Sequence, residues 1–313
     1  MQFVVDETSW RFTGLDPVKC IEALESILDQ IDDVRAEGHS ICYSEDLFHL
    51  PVWKDKSFYD LYSSECVLFI PREVQERIAS TFSWLLKWQD IDSEWPTSFA
   101  IQIDGKPVEE APSVAWAHKQ TTNDHSRPVG CVVFPGGRSS GFLSVEVNKN
   151  ITSLWFIAEK KEYLGVFRWL IITTTTNHNE MKKIAPSAFP SLDFVEGVFD
   201  GIKNMNKPYR DIVEALVHHL GVLSDDGKRI FQGPRQAVAA EFGALGVNIS
   251  DENGNTKGDR LARRERTIEI NGVETIFWWH TKLERHQNRI HLNPDRVDDG
   301  GRLLVGIFCD HLK

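Results

Sequence analysis

Several features that would place a chain at once are missing from this sequence. Its five cysteines (Cys20, Cys42, Cys66, Cys131, Cys309) are odd in number and never form a C-x-x-C pair, which argues against a disulfide framework or a zinc ribbon. No stretch approaches the roughly 18 consecutive apolar residues of a membrane span. The opening residues, Met1-Gln2-Phe3-Val4-Val5-Asp6-Glu7, lack a basic segment followed by an apolar one. The expectation is a soluble, cytoplasmic protein with no membrane partner. Positive charge is also short: 35 Lys and Arg face 46 Asp and Glu in 313 residues, a net charge of -11. That excludes a free-standing basic nucleic-acid binder as a description of the whole chain. With 41% hydrophobic and 26% charged residues, the composition suits two or three packed cores and not disorder.

The charge is unevenly spread. Residues 1–204 carry 19 basic and 30 acidic side chains, whereas residues 205–313 carry 16 of each. The second part also holds six of the 11 histidines, and between Lys257 and Arg289 it has eight basic residues against five acidic. A locally basic, histidine-rich module is hidden in an acidic chain. The acidic part is a candidate docking surface for a protein partner.

Hydrophobic periodicity gives the fold class as α/β and α+β. Over 1–92 the chain reads as α/β. The apolar run Phe3-Val4-Val5 predicts a strand, and Asp16-Pro17 offers a helix N-cap with proline at the first helical position. Ile21, Leu24, Ile27, Leu28, Ile31 and Val34 keep helical spacing up to Gly38, a left-handed cap. Ser40-Ile41-Cys42-Tyr43 predicts a second strand and Pro71 opens a second helix, so a parallel sheet is expected. Over 93–205 the reading is β-rich, with turns at Asp104-Gly105 and Pro135-Gly136-Gly137 and strands at 143–147, 154–158 and 167–173. Over 206–313 it is α+β: helices at 209–220 and from Pro234, then an antiparallel four-stranded meander at 267–270, 274–280, 289–292 and 303–308. Asn271-Gly272 is the turn of its first hairpin.

The meander holds the densest reactive set, from Trp278-Trp279-His280-Thr281-Lys282 to Asn288-Arg289-Ile290-His291, then Cys309-Asp310-His311. Side chains two apart on a strand share a face, so His280 and Lys282 point together, as do Arg289 and His291. Metal-free RNA cleavage needs a base for the 2′-hydroxyl, cations for the phosphorane and an acid for the 5′-oxygen. His, Lys and Arg can fill those roles. Histidines on amphipathic strands serve equally as half-buried packing residues. Arg260, Arg263 and Arg264, ahead of the meander, and Arg285 within it could neutralise RNA phosphates or form a solvated face.

Over about the last third, the order helix, helix, meander with His280-x-Lys282-Leu283 and Asn288-Arg289-Ile290-His291 resembles the ribosome-dependent mRNA interferase toxins of the RelE and HigB type. The resemblance implies metal-free cleavage of RNA, with RNA or the ribosome as partner and no cofactor. It implies His280, Lys282, Arg289, His291 and His311 as site residues. Unlike those small basic toxins, this region is neutral and fused to an acidic chain, an arrangement suited by analogy to phage defence or a stress response.

A second idea concerns the opening strand. Phe3-Val4-Val5-Asp6 resembles the start of PIN-type nuclease domains, which implies Asp6 as a Mg²⁺ ligand, with Glu45, Asp46, Glu73, Asp90 and Asp92 as candidate partners. Capping or turn formation is the alternative role for Asp6. Zinc on His280, His286, His291 and His311 is disfavoured by their irregular spacing. A non-catalytic docking subunit is the remaining alternative.

Overall fold

The computed structural model describes the chain except at residues 13, 37, 64, 66, 67, 93–98, 109, 110, 125–127, 135–137, 160, 286 and 313. The Pro135-Gly136-Gly137 turn, Cys66 and His286 therefore lie outside the described residues. The described chain divides into two compact units, Met1–Tyr163 and Leu164–Lys313, so the stretch 93–205 is shared between them; expected as β-rich, it carries helices at Pro112–Asn123, Lys161–Thr174 and His178–Ala188 beside its strands. Among the described residues no helix is long and apolar enough to cross a membrane.

In the first unit the order is β1 (Gln2–Val5), α1 (Pro17–Ala36), β2 (Ser40–Tyr43), the hairpin β3 (Pro51–Trp53) and β4 (Lys56–Ser57), and α2 (Arg72–Ser83). Then come β5 (Leu86–Lys87), α3 (Trp88–Ile91), the hairpin β6 (Ile101–Ile103) and β7 (Lys106–Val108), α4 (Pro112–Asn123), β8 (Val129–Val132), β9 (Gly141–Val147) and β10 (Asn150–Ile157). The Asp16 carboxylate accepts from the Lys19 N–H at 3.1 Å, and Gly38 takes φ +78°, so both ends of α1 are closed as the sequence implies. Its buried stripe is Cys20, Leu24, Ile27, Leu28, Ile31 and Val34. Asp104 and Gly105 both have positive φ, the requirement of a type I′ hairpin turn.

The large sheet has the order β5-β2-β1-β8-β10-β9-β6-β7. The first five of these strands pair in parallel, and the last three join antiparallel. The β1-α1-β2 crossover moves toward the β5 edge, whereas β8, entered through α4 from β7 at the other edge, is followed by β9 and β10 on its opposite side. Val4, Cys42, Cys131 and Phe156 share one core with Val114, Ala115 and Trp116 of α4. The reversal lies between β1 and β8, which puts the carboxyl ends of these strands at the topological switch point of the sheet.

The second unit begins within α5 (Lys161–Thr174) and continues through α6 (His178–Ala188), β11 (Leu192–Phe194), α7 (Tyr209–Asp225), α8 (Gly227–Phe231), α9 (Val238–Ala244), β12 (Ile249–Asp251), α10 (Gly254–Gly258) and α11 (Arg260–Glu265). It ends in β13 (Thr267–Ile270), β14 (Val273–Ile276), β15 (Trp279–Lys282), β16 (Arg289–Asn293) and β17 (Leu303–Cys309). The strand expected at 167–173 is helix. Tyr163, Val166, Phe167, Leu170 and Ile171 are buried in it, and their spacing is helical. A short, almost wholly apolar run does not separate the two readings by pattern alone.

Here the sheet order is β11-β17-β16-β15-β12. The antiparallel meander is present as β15-β16-β17. β13 and β14 pair with each other apart from it, so the run 274–280 feeds two sheets. The break is at Phe277, which is fully buried and donates its N–H to the Arg266 carbonyl at 2.9 Å. Between β16 and β17 the register shifts at His291, whose partner is Ile307, while Leu292 faces Val305. Gly306 is the extra residue of that bulge. A Cβ there would lie 2.2 Å from the Phe277 ring, so only glycine fits.

Candidate functional site

The β15–β16 register sets His280 opposite His291 and Lys282 opposite Arg289. All four side chains therefore share one face of the sheet, as the two-residue spacing on each strand implies. β16 and β17 extend the second row, because Arg289 faces Cys309. His311 follows β17 and is exposed, and Arg285 is exposed in the connection between β15 and β16. Lys282, Arg285, Arg289 and His311 thus gather toward one end of the sheet. Arg260, Arg263 and Arg264 are exposed along α11, with Ala262 turned inward.

The two histidines are not at the surface. His280 is 3% exposed and His291 is completely buried, with ring centroids 5.1 Å apart. Burial, and then the charges of Arg289, Lys282 and Arg266, push the His280 imidazole down to about 3. Burial, and then the neighbouring His280, does the same to His291, also to about 3. Both rings are neutral at physiological pH, and a buried neutral ring cannot act as an acid toward a polymer outside. The catalytic roles assigned to His280 and His291 from the sequence lose their physical basis here. Lys282 and Arg289 are half-buried and keep access to solvent. The Arg289 guanidinium is lowered from its ordinary value by burial, a trend that Glu252 opposes.

The histidines meet groups that the sequence did not nominate. β12 pairs antiparallel with β15, Ser250 opposite His280. The Ser250 hydroxyl is 3.2 Å from His280 Nε2, and Glu252 Oε1 is 3.4 Å from His280 Nδ1. Arg266, 1% exposed, donates from Nε and Nη2 to the same Glu252 oxygen at 3.0 and 2.9 Å. His291 donates from Nδ1 to the Phe277 carbonyl at 3.2 Å. His280 Nδ1, His291 Nε2, Arg289 Nε and Asn288 Nδ2 are buried without a hydrogen-bond partner. A buried polar atom of this kind requires an explanation. No sequence signal marked Glu252 or Ser250, because a three-residue strand between polar turns has no periodicity of its own.

In the first unit Asp6 sits at the switch point, one residue past β1, its N–H donating to the Val132 carbonyl at 2.9 Å. The side chain is fully buried. It accepts from the Thr8 N–H at 3.1 Å and the Thr8 hydroxyl at 2.7 Å, and from Arg138 Nε at 2.6 Å. This is a cap with an ion pair. Glu45, Asp46, Glu73 and Asp90 are exposed, and Asp92 is paired with Lys119, so the carboxylates nominated for Mg²⁺ do not assemble around Asp6. Beside it Glu7 accepts from the Ser113 N–H at the start of α4, at 3.1 Å. Burial and then the Asp6 charge raise the Glu7 carboxyl to about 8. Among the described residues, the group of His, Cys, Asp or Glu side chains arranged to hold a metal ion is Glu252, His280 and His291.

Compared with protein-family models, with curated proteins and with solved structures, the chain gives no match.

Proposed function

We propose that the second unit is an endoribonuclease-type module that acts on RNA without a catalytic metal through basic side chains at one end of its sheet. The observation that supports this reading is the row Lys282, Arg289 and Cys309 across three strands, with His311 two residues beyond. Such a row sets two long cationic side chains and an exposed imidazole where a phosphodiester could lie across the strand ends. Arg289 is suited to hold the non-bridging oxygens as charge builds in the phosphorane. Lys282 and His311 are the groups available for proton transfer to and from the 2′- and 5′-oxygens. His280 and His291 lie beside this row on the same face, buried farther along the strands, and take no part in proton transfer. The acidic first unit serves as the surface that recruits a protein partner or the assembly carrying the RNA.

The test is cleavage of RNA by the full chain in buffer with no added divalent cation. Lys282→Ala and Arg289→Ala are each expected to slow it by about 10²-fold or more, with the circular dichroism spectrum retained. A requirement for added Mg²⁺ together with loss in Asp6→Ala would move the activity to the first unit. A wild-type chain that cleaves no RNA, free or on ribosomes, would leave a docking protein and overturn the reading.

A further inference from the structure

The two histidines that RNA chemistry leaves idle are arranged in a specific way. Each imidazole spends one ring nitrogen on an orienting contact. His291 Nδ1 donates to the Phe277 carbonyl, so its Nε2 carries the lone pair. His280 Nε2 is engaged with the Ser250 hydroxyl, which turns Nδ1 inward. The inward atoms, His280 Nδ1 and His291 Nε2, are the ones buried without a hydrogen-bond partner, and they belong to side chains 97% and 100% buried by the exposures of 3% and 0%. One ring nitrogen of each histidine and a Glu252 oxygen lie within 4.8 Å of one another, and His280 Nδ1 is itself 3.4 Å from Glu252 Oε1. Imidazoles fixed by a hydrogen bond on the far nitrogen, next to a carboxylate fixed by a guanidinium, are the outer-shell arrangement of a metal centre.

We infer that Glu252, His280 and His291 bind a divalent late first-row metal ion, with zinc the class best matched to two imidazoles and one carboxylate. Metal–ligand bonds of about 2.0–2.1 Å set tetrahedral ligand atoms ~3.3 Å apart, and His280 Nδ1 already lies 3.4 Å from Glu252 Oε1. A small contraction toward His291 Nε2 completes the three protein ligands, and solvent supplies the fourth. Arg266 carries a positive charge close by, which weakens any cation site. The Glu252 carboxylate offsets that charge, and the two bonds from Arg266 fix the ligand in place. The ion would add a side-chain tie across β12, β15 and β16, which already pair through their backbones. The bulge at Gly306 belongs to the same device: it makes room for the Phe277 ring whose carbonyl aims His291.

The inference is independent of RNA cleavage, since Lys282 and Arg289 are not ligands. The probe is Co²⁺ added to full-length protein that has been stripped with a chelator and dialysed. One equivalent should develop visible d–d absorption of a low-coordinate site and be displaced by Zn²⁺. Lys282→Ala should retain the bands, whereas His280→Gln and His291→Gln should lose them with circular dichroism unchanged. Should those variants fail to fold, X-ray absorption of the wild-type cobalt complex decides, with two imidazole nitrogens and oxygen expected around the ion. Folded wild type without d–d bands, bands that survive the double histidine variant, or sulfur in the coordination shell would each overturn the assignment.

Discussion

Both units bury polar groups beside the middle strands of a sheet, yet they treat those groups differently. In the first unit Asp6 is met by a guanidinium, a hydroxyl and a backbone N–H, and Glu7 by the start of a helix. Its remaining oxygen, Glu7 Oε2, lacks a partner but belongs to a carboxyl that burial keeps protonated up to about 8. In the second unit the buried groups are neutral imidazoles, each with one ring nitrogen satisfied and one left over. A polar network whose charges are paired or neutralised fixes a fold, whereas one whose spare atoms converge is what a ligand site requires. The same kind of position thus supports structure in one unit and a candidate site in the other.

The comparison breaks first if the Asp6 network is not structural. Arg138→Met keeps the apolar bulk but strands a fully buried carboxylate. Removing one partner of a buried pair costs about 3–5 kcal/mol. Urea unfolding followed by hydrogen exchange should show that loss in the amides of residues 1–163 and none in those of the second unit. A loss below about 1 kcal/mol would mean that Asp6 is solvated in solution.

The pH response separates carboxyl from imidazole by sign. Glu7 is raised from the ordinary 4.5 to about 8, so the unfolded chain releases its proton first as pH rises. Its stabilisation is complete below the unfolded value and is lost as pH rises through about 8, on the order of 5 kcal/mol in all. His219, lowered to about 4 by burial, and His280 and His291, lowered to about 3, behave oppositely. Their stabilisation is complete above the ordinary 6.5, falls progressively below it, and is fully lost once pH has dropped through about 4 to 3. His39 in the first unit, also lowered to about 4, shares the acid arm, so the window from about 6.5 to 8, where these imidazoles are neutral in both states, is the diagnostic one. Measured against wild type, Glu7→Gln should remove the slope in that window and be the more stable protein at pH 8.

A smaller effect tests how the second site is built. Gly306→Ala must move the Phe277 ring, which a Cβ would meet at 2.2 Å. Overpacking of this kind costs about 1–3 kcal/mol. Because the Phe277 carbonyl holds His291 Nδ1, the NMR signals of the His291 ring should shift as well. Unchanged ring signals beside a loss of stability would separate the bulge from the site.

How much of this was readable in the sequence depended on distance along the chain. α1 was legible with both caps because Asp16, the apolar stripe and Gly38 are all local signals. So were the two hairpins turned by Asp104-Gly105 and Asn271-Gly272. The shared face of His280 and Lys282 followed from strand pleating, and so did that of Arg289 with His291. Their burial did not, since it is set by Phe277, Arg266 and β12, which reach the meander from elsewhere. Glu252 was invisible for the same reason. The helix at 161–174 was misread as strand over 167–173 because its apolar residues cover nearly every position.

The smallest effect closes the comparison of buried with exposed polar pairs. Arg168 donates from Nη1 and Nη2 to the two Asp225 oxygens at 2.7 and 2.6 Å, as short as the 2.6 Å bond between Arg138 and Asp6. Geometry alone would rank the bidentate pair higher. Exposure reverses the order, because the Asp225 side chain is 42% accessible and that of Asp6 is 0% accessible. Water already solvates the first carboxylate in the absence of its partner, and exposed pairs are worth only about 0.2–1 kcal/mol. Asp225→Asn should therefore cost roughly 0.5 kcal/mol at low salt, and the difference should fade at about 1 M salt, where the Debye length is ~3 Å. A cost near that of Arg138→Met, or one that salt does not reduce, would show that hydrogen-bond geometry and not burial decides the value of these pairs.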